Sequence, residues 1–302
     1  MRLIFLLLHH FMSQTLIIIP TYNEVDNISP LLKEIFSVLP DVHVLFVDDS
    51  SLARDSMVLG QTTGEAMMAT GTLFGVGTGP GDPELMTRRA WRLIEAARII
   101  AYPAPDTGES FARAIASDAI ADDAIEIPMV VPMRTGRAPA QSIYDEAASA
   151  ISEHLDAGSD VVVLCEGDPL FYGSFMYLLA RLKDSYDVEI VPGVTSLTAC
   201  AAAHAHPLVA RNDVLTILPG PLDDLVLAER IATAEAIAIM KIGRHMPRLK
   251  ALFSRLGLAD RALYVSHASL GYQRNLRLQD APNEAPYFSM ILRYEGDDPW
   301  IR

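Results

Sequence analysis

The chain is poor in cysteine, in positive charge and in long apolar runs. Its two cysteines, Cys165 and Cys200, fit a reducing cytoplasm. Cys165 ends a strand-like apolar run and Cys200 lies in an alanine-rich helical stretch, so both read as small core residues and not as nucleophiles. Lys and Arg number 24 against 38 Asp and Glu, a net charge of −14. Such acidity argues against broad contact with nucleic acid or an anionic membrane and leaves room only for a local basic pocket. The apolar run Leu3–Leu8 is too short to cross a bilayer, which takes ~20 residues. It is also weak as a signal peptide, because His9 and His10 follow and no small-residue cleavage site is evident. Residues 1–14 therefore read as a leader of doubtful origin, with Met12 an alternative start. His204-Ala-His206 has metal-like spacing but no third or fourth ligand, so no metal is expected.

What is present is more telling. Half of the 302 residues are hydrophobic, ample for two domains. From Leu73 to Thr87 a short apolar run enters a loop with glycine at 75, 77, 79 and 81, followed by Asp82-Pro83. Pro83 suits the first turn of a helix and Asp82 the position before it. The unit reads as strand, tight loop and helix, with backbone N–H groups turned to a ligand. It is not the dinucleotide fingerprint, because Pro80 and Asp82 stand where the third glycine is required. A single glycine-rich loop is as easily a structural turn. Two further loops of small residues follow strand-like runs: Cys165–Ser174 after Val161–Leu164, and Val191–Ser196 after Val188–Val191. Three such loops in order suit an open α/β sheet that binds ligand at the carboxyl ends of its strands.

These loops resemble those of the tetrapyrrole methyltransferases of the cobalamin pathway. The likeness runs from about Thr72 to the end. It is carried by Gly75–Thr87, Pro132-Met133, Gly167-Asp168-Pro169 with Phe171–Phe175, and Pro192–Ser196. Lys241-Ile242-Gly243-Arg244 and Pro286-Tyr287-Phe288-Ser289 narrow it to the branch acting at C20. The resemblance implies an α/β fold of two domains with the cofactor in the cleft, commonly as a homodimer. It implies methyl transfer from S-adenosyl-L-methionine to C20 of precorrin-2. The alternative is the sister reaction on cobalt-factor II, whose enzymes share nearly every motif.

Carried over by position, the cofactor pocket falls on Pro80, Gly167, Asp168, Phe171, Thr195, Ser196, Lys241, Ala268 and Ser269. Asp168, Thr195 and Ser196 have an alternative reading as helix caps, which for Asp168 is compatible with ligand contact. Glu166 stands where many relatives have glycine or an apolar residue, so its own contact is the least certain in that loop. The substrate that the resemblance implies is a polycarboxylate, which in an acidic protein calls for local cations, preferably arginine forks. Arg134 and Arg244 each follow a motif loop and are the leading substrate contacts, with Asp82 and Tyr172 nearby. A general base is not identified: related enzymes carry an acid where Pro103 stands here.

Residues 15–51 form a separate β-α-β pattern, with strands Leu16–Ile19 and Val42–Val47 around a helix Ile28–Val38. Pro20–Glu24 and Val47–Ser51 resemble the opening of a family 2 glycosyltransferase of the polyprenol-phosphate type. No Asp-x-Asp occurs in the chain, so this fragment lacks that family's metal motif. Residues 52–71 read as a linker, 72–200 as the first methyltransferase domain and 201–302 as the second.

The first domain is expected to hold strands Leu73–Gly77, Ile99–Tyr102, Val161–Cys165 and Val188–Val191, with helices Pro83–Ala97, Gln141–Leu155 and Phe171–Leu182. Strand–helix alternation suggests parallel sheets, and it restarts at Val214.

Overall fold

The computed structural model describes residues 70–131 and 138–296, and in the leading segment residues 6–7, 15–21, 33–35, 37, 42–48 and 57–58. There β1 (Leu6–Leu7), β2 (Thr15–Thr21), β3 (Val42–Asp48) and β4 (Met57–Val58) form one sheet in that order. Strands β2 and β3 pair in parallel, from Thr15 opposite Val42 to Thr21 opposite Asp48. A parallel pair needs a crossover, and residues 33–35 and 37 within it are helical. The short flanking strands β1 and β4 were not foreseen. Tyr22-Asn23-Glu24 and Asp49–Ser51 of the glycosyltransferase likeness lie outside the described residues.

The next sheet is wholly parallel: β5 (Leu73–Gly77), β6 (Ile99–Pro105), β7 (Ile125–Val131), β8 (Val161–Cys165) and β9 (Val188–Val191), in the order β7-β6-β8-β5-β9. Both faces are covered. Val161, Val163 and Cys165 of β8 point to a core with Ile151, Leu155, Phe175 and Leu178. Val162 and Leu164 point to the opposite core with Ile94, Ala112 and Ile115. That alternation explains why all five residues of β8 are apolar and buried. The covering helices are α1 (Arg88–Ala96), α2 (Phe111–Ala116), α3 (Ala138–Asp156) and α4 (Phe175–Leu182).

Two expected helices start later than their apolar spacing suggested. In place of one helix Pro83–Ala97 there is a single 3-10 turn, Pro83–Leu85, capped by Asp82, then a fresh start. Thr87 stays extended and its Oγ1 accepts from Ala90 N at 3.1 Å, which begins α1 at Arg88. The segment Phe171–Leu182 becomes helical only at Phe175, because Tyr172 has a left-handed φ of 55°.

The last sheet combines β10 (Leu215–Pro219), β11 (Ala236–Met240), β12 (Leu263–Ser266), β13 (Arg274–Arg277) and β14 (Ser289–Tyr294). Its order is β10-β11-β14-β12-β13, and only β10 and β11 are parallel. The parallel sheet expected here is thus mixed, because the final strand β14 inserts antiparallel between β11 and β12. Helices α6 (Asp224–Thr233) and α7 (Met246–Arg255) pack through Leu227, Ile231, Leu249 and Phe253 on one face. Helix α5 (Ser196–Ala203) spans residue 200 and sends Leu197, Ala199, Cys200 and Ala201 into the other face, against Ala238, Val265, Met290 and Leu292.

The loops after β5, β8 and β9 leave three neighbouring strands and meet almost without side chains. A Cβ added at Gly77 would lie 2.5 Å from Gly167 O and 2.7 Å from Gly193 Cα, and one at Gly193 would run into Gly167 O. Gly167 N donates to Gly79 O at 2.8 Å, and Gly79 N donates back at 3.3 Å. Since backbone and not a flexible side chain blocks the space, Gly193→Ala should destabilise by about 1–3 kcal/mol. Gly271, with nothing near its Cβ position, is the control, and Gly271→Ala should stay within about 0.5 kcal/mol. Thermal melting of both variants checks this; equal melting points would refute it.

Candidate active site

A cavity of about 420 Å³ opens where those loops face the second domain. Eight of the nine residues expected to hold the cofactor line it: Pro80, Gly167, Asp168, Phe171, Thr195, Ser196, Lys241 and Ala268. The ninth, Ser269, lies just outside the lining and joins the domains, its Oγ accepting from Asp82 N at 3.0 Å. Asp82 is likewise outside, and its Oδ1 accepts from Glu84 N at 2.9 Å. Tyr172 lines the cavity. Arg244 sits exposed in the 3-10 turn Gly243–His245, beyond the lining, and Arg134 falls outside the described residues. His204 Nε2 and His206 Nδ1 each donate to a backbone carbonyl, of Tyr264 and Pro207.

Asp168 caps no helix, since α4 starts only at Phe175, and its carboxylate serves the loops of the wall. Oδ1 accepts from Leu170 N at 2.9 Å, and Oδ2 reaches across to Gly193 N at 3.1 Å. One carboxylate therefore ties the loop after β8 to the loop after β9. Thr195 caps α5 through Thr198 N.

Backbone strain concentrates here. Tyr172, Lys241 and His267 all have positive φ (55°, 58° and 52°) and all line the cavity. Such conformations cost of order 1–3 kcal/mol each and persist where the surroundings impose them. Lys241 Nζ lies 5.3 Å from the centre of the Tyr172 ring, a cation–π contact between the domains. Phe111 and Phe288 meet across the same cleft with ring centres 4.3 Å apart. Burial holds the His267 imidazole below its usual value, and Lys241 is the one Lys or Arg among the described lining residues.

Several lining residues had no assigned role in the sequence, among them Glu109, Tyr144, Glu166 and the stretch Tyr287–Met290. The signal for Tyr287–Ser289 was present in the Pro-Tyr-Phe-Ser segment. Glu166 stands at the end of β8, and burial pushes its carboxyl above the usual carboxylate range, opposed by the backbone amides of Glu166 and Ala112. Burial also raises Tyr144 and Tyr287, and the Glu166 charge raises both further. Tyr287 keeps 55% of its surface exposed.

Residues 72–280 match the tetrapyrrole (corrin/porphyrin) methylases. The chain belongs to this family. As a methylase it is an enzyme, and its relatives are consistent with that. It is 38% identical over 74% of its length to a Sinorhizobium precorrin-2 C(20)-methyltransferase, of which it covers 96%. It is 32% identical, over 74% of its length and 95% of the relative's, to the cobalt-precorrin-2 C(20)-methyltransferase of Salmonella typhimurium. Its fold is similar to the uroporphyrin-III C-methyl transferase of Thermus thermophilus complexed with S-adenyl homocysteine, with a TM-score of 0.54, 25% identity and coverage of 74% of this chain and 92% of the other.

The raised Glu166 carboxyl has a consequence for the stability of the methylase. The folded state holds this proton more tightly than the unfolded one, so stability falls as pH rises from the ordinary glutamate value through the folded value. Glu166→Gln removes that loss. The variant should melt with the native protein below about pH 4 and above it at neutral pH. A melting difference that does not change with pH would refute the assignment.

Proposed function

We infer that this methylase transfers a methyl group from S-adenosyl-L-methionine to C20, a meso carbon of precorrin-2, in corrin biosynthesis. The observation that carries the reading is the cavity itself, built where three glycine loops face a second α/β domain, in a chain so similar to a C20-methyltransferase. Its size lies in the range of small-molecule sites, ~300–1,000 Å³. Its lining suits the cofactor: apolar walls at Pro80, Phe171 and Ala268 for a flat base, and backbone beside Gly167 where a charged sulfur can sit close.

The bound cofactor supplies a methyl group on a positively charged sulfur, and the sulfur departs neutral. The leaving group thus needs no acid. The task left to the protein is alignment and exclusion of water. Asp168 and the glycine contacts hold the loops rigid, and Phe111, Phe288 and Tyr287 cover the cleft. For the tetrapyrrole carboxylates the reading keeps Arg134 and Arg244, with Asp82 and Tyr172 beside them, and leaves Lys241 on the cofactor side. A homodimer in the cytoplasm accords with the family and with the few cysteines. No activity is assigned to the leading β-α-β unit.

The full chain with S-adenosyl-L-methionine should methylate metal-free precorrin-2 once, detected by mass, and faster than its cobalt-containing counterpart. Faster turnover of the cobalt form would move the assignment to the sister reaction, and no turnover of either would reject it. Asp168→Ala tests the cofactor side. Loss of its bonds to Leu170 and Gly193 should cost about 1 kcal/mol in stability and weaken cofactor binding about fivefold. Calorimetry showing native affinity would remove Asp168 from the cofactor site.

A further inference from the structure

We propose that Glu166 accepts the proton that leaves C20 when the methyl group arrives, an assignment that rests on the C20 methyl-transfer reading. Replacing hydrogen by methyl at a meso carbon must release one proton. The new carbon–carbon bond forms with a π electron pair of the macrocycle, and the carbon–sulfur bond breaks with its pair going to sulfur. The positive charge thereby passes to the macrocycle, whose C20 briefly carries both hydrogen and methyl. When the C20–H bond breaks, its pair restores the conjugated system and the proton needs an acceptor.

Among the described residues the cavity offers three carboxylates. Asp168 uses both oxygens to tie two loops together, Oδ1 accepting from Leu170 N and Oδ2 from Gly193 N. By contrast, the two amides beside Glu166, its own and that of Ala112, do not offset the effect of its burial. Glu109 is exposed at the rim. Glu166 is largely enclosed, at the end of β8 and beside the Gly167 backbone, on the wall that also carries the cofactor loops. The groups facing it are Tyr144 from α3, Tyr287 from the segment before β14 and Cys165 on its own strand. Neither phenol competes as an acceptor, since each is raised above its usual value and so stays protonated. Lys241 is engaged over the Tyr172 ring and His267 is held low. No cation is among the groups acting on Glu166, so its proton affinity is raised by burial and not quenched by an ion pair. A carboxylate of raised proton affinity is the better base at neutral pH. Its negative charge at the cavity wall also favours the cationic macrocycle that precedes proton loss.

The test compares the full native chain with Glu166→Gln and Glu166→Asp. Calorimetry with S-adenosylhomocysteine reads binding, and single-turnover methylation of precorrin-2, with hydrogen or deuterium at C20, reads the chemistry over about pH 5 to 9. We expect Glu166→Gln to keep native affinity for S-adenosylhomocysteine, to form product ~100-fold more slowly and to lose the acidic limb of the pH profile. Deuterium should slow this variant more than the native chain, because proton loss has become limiting. Glu166→Asp should recover part of the rate with the limb moved to a different pH. A Gln variant within about threefold of the native rate, with the limb retained, would overturn the proposal. A loss confined to S-adenosylhomocysteine affinity would also overturn it and make Glu166 a cofactor contact. If the native chain methylates neither tetrapyrrole, the underlying reading fails instead, a result distinct from both.

Discussion

Everything at the cavity depends on three backbones meeting at Gly77, Gly167 and Gly193. Beta-carbons do not fit at the Gly77 and Gly193 approaches, so the carboxyl ends of β5, β8 and β9 come closer than side chains would permit. The paired Gly79–Gly167 bonds and the bridge from Asp168 to Gly193 N then fasten the loops to one another. A wall made of backbone presents amides and carbonyls at fixed positions with little conformational freedom to lose. That is the kind of surface a transfer reaction governed by alignment requires.

The second constraint is that the site is shared between domains. The fully parallel sheet supplies the glycine wall, while the mixed sheet supplies Lys241, His267, Ala268 and the Tyr287–Met290 stretch. Contacts across the cleft are few and specific: Asp82 with Ser269, Tyr172 with Lys241, Phe111 with Phe288. Three of these six residues, Tyr172, Lys241 and Ser269, are in left-handed backbone, held there by the folds on either side. A relative movement of the domains would therefore change strain, aromatic cover and the position of the lining cation together.

Charge is distributed to match this chemistry. The chain as a whole is acidic, yet the cavity wall is mostly apolar, with one lysine and three carboxylates among the described lining residues. In such surroundings each ionised group acts over a longer range than at the surface, because little water screens it. The influence of Glu166 on both Tyr144 and Tyr287 reflects that coupling.

Local order in the sequence determined much of this protein. Strands β5, β8 and β9 are legible to the residue: β8 is an unbroken buried apolar run, and β5 and β9 are mostly apolar stretches that lead into the Gly77 and Pro192 loops. The motif loops were legible too, and eight of the nine positions expected to hold the cofactor line the cavity. Helix starts at Arg88 and Phe175 were misjudged where capping by Thr87 and the left-handed Tyr172 overrode apolar spacing. The antiparallel insertion of β14 was invisible, since strand order depends on which edges pair and not on any one segment's pattern. Glu166 is the clearest case. In the sequence it is one acidic residue beside a glycine, and only the closing of α3, the α2 start and the Tyr287 segment around it removes its water and changes its chemistry.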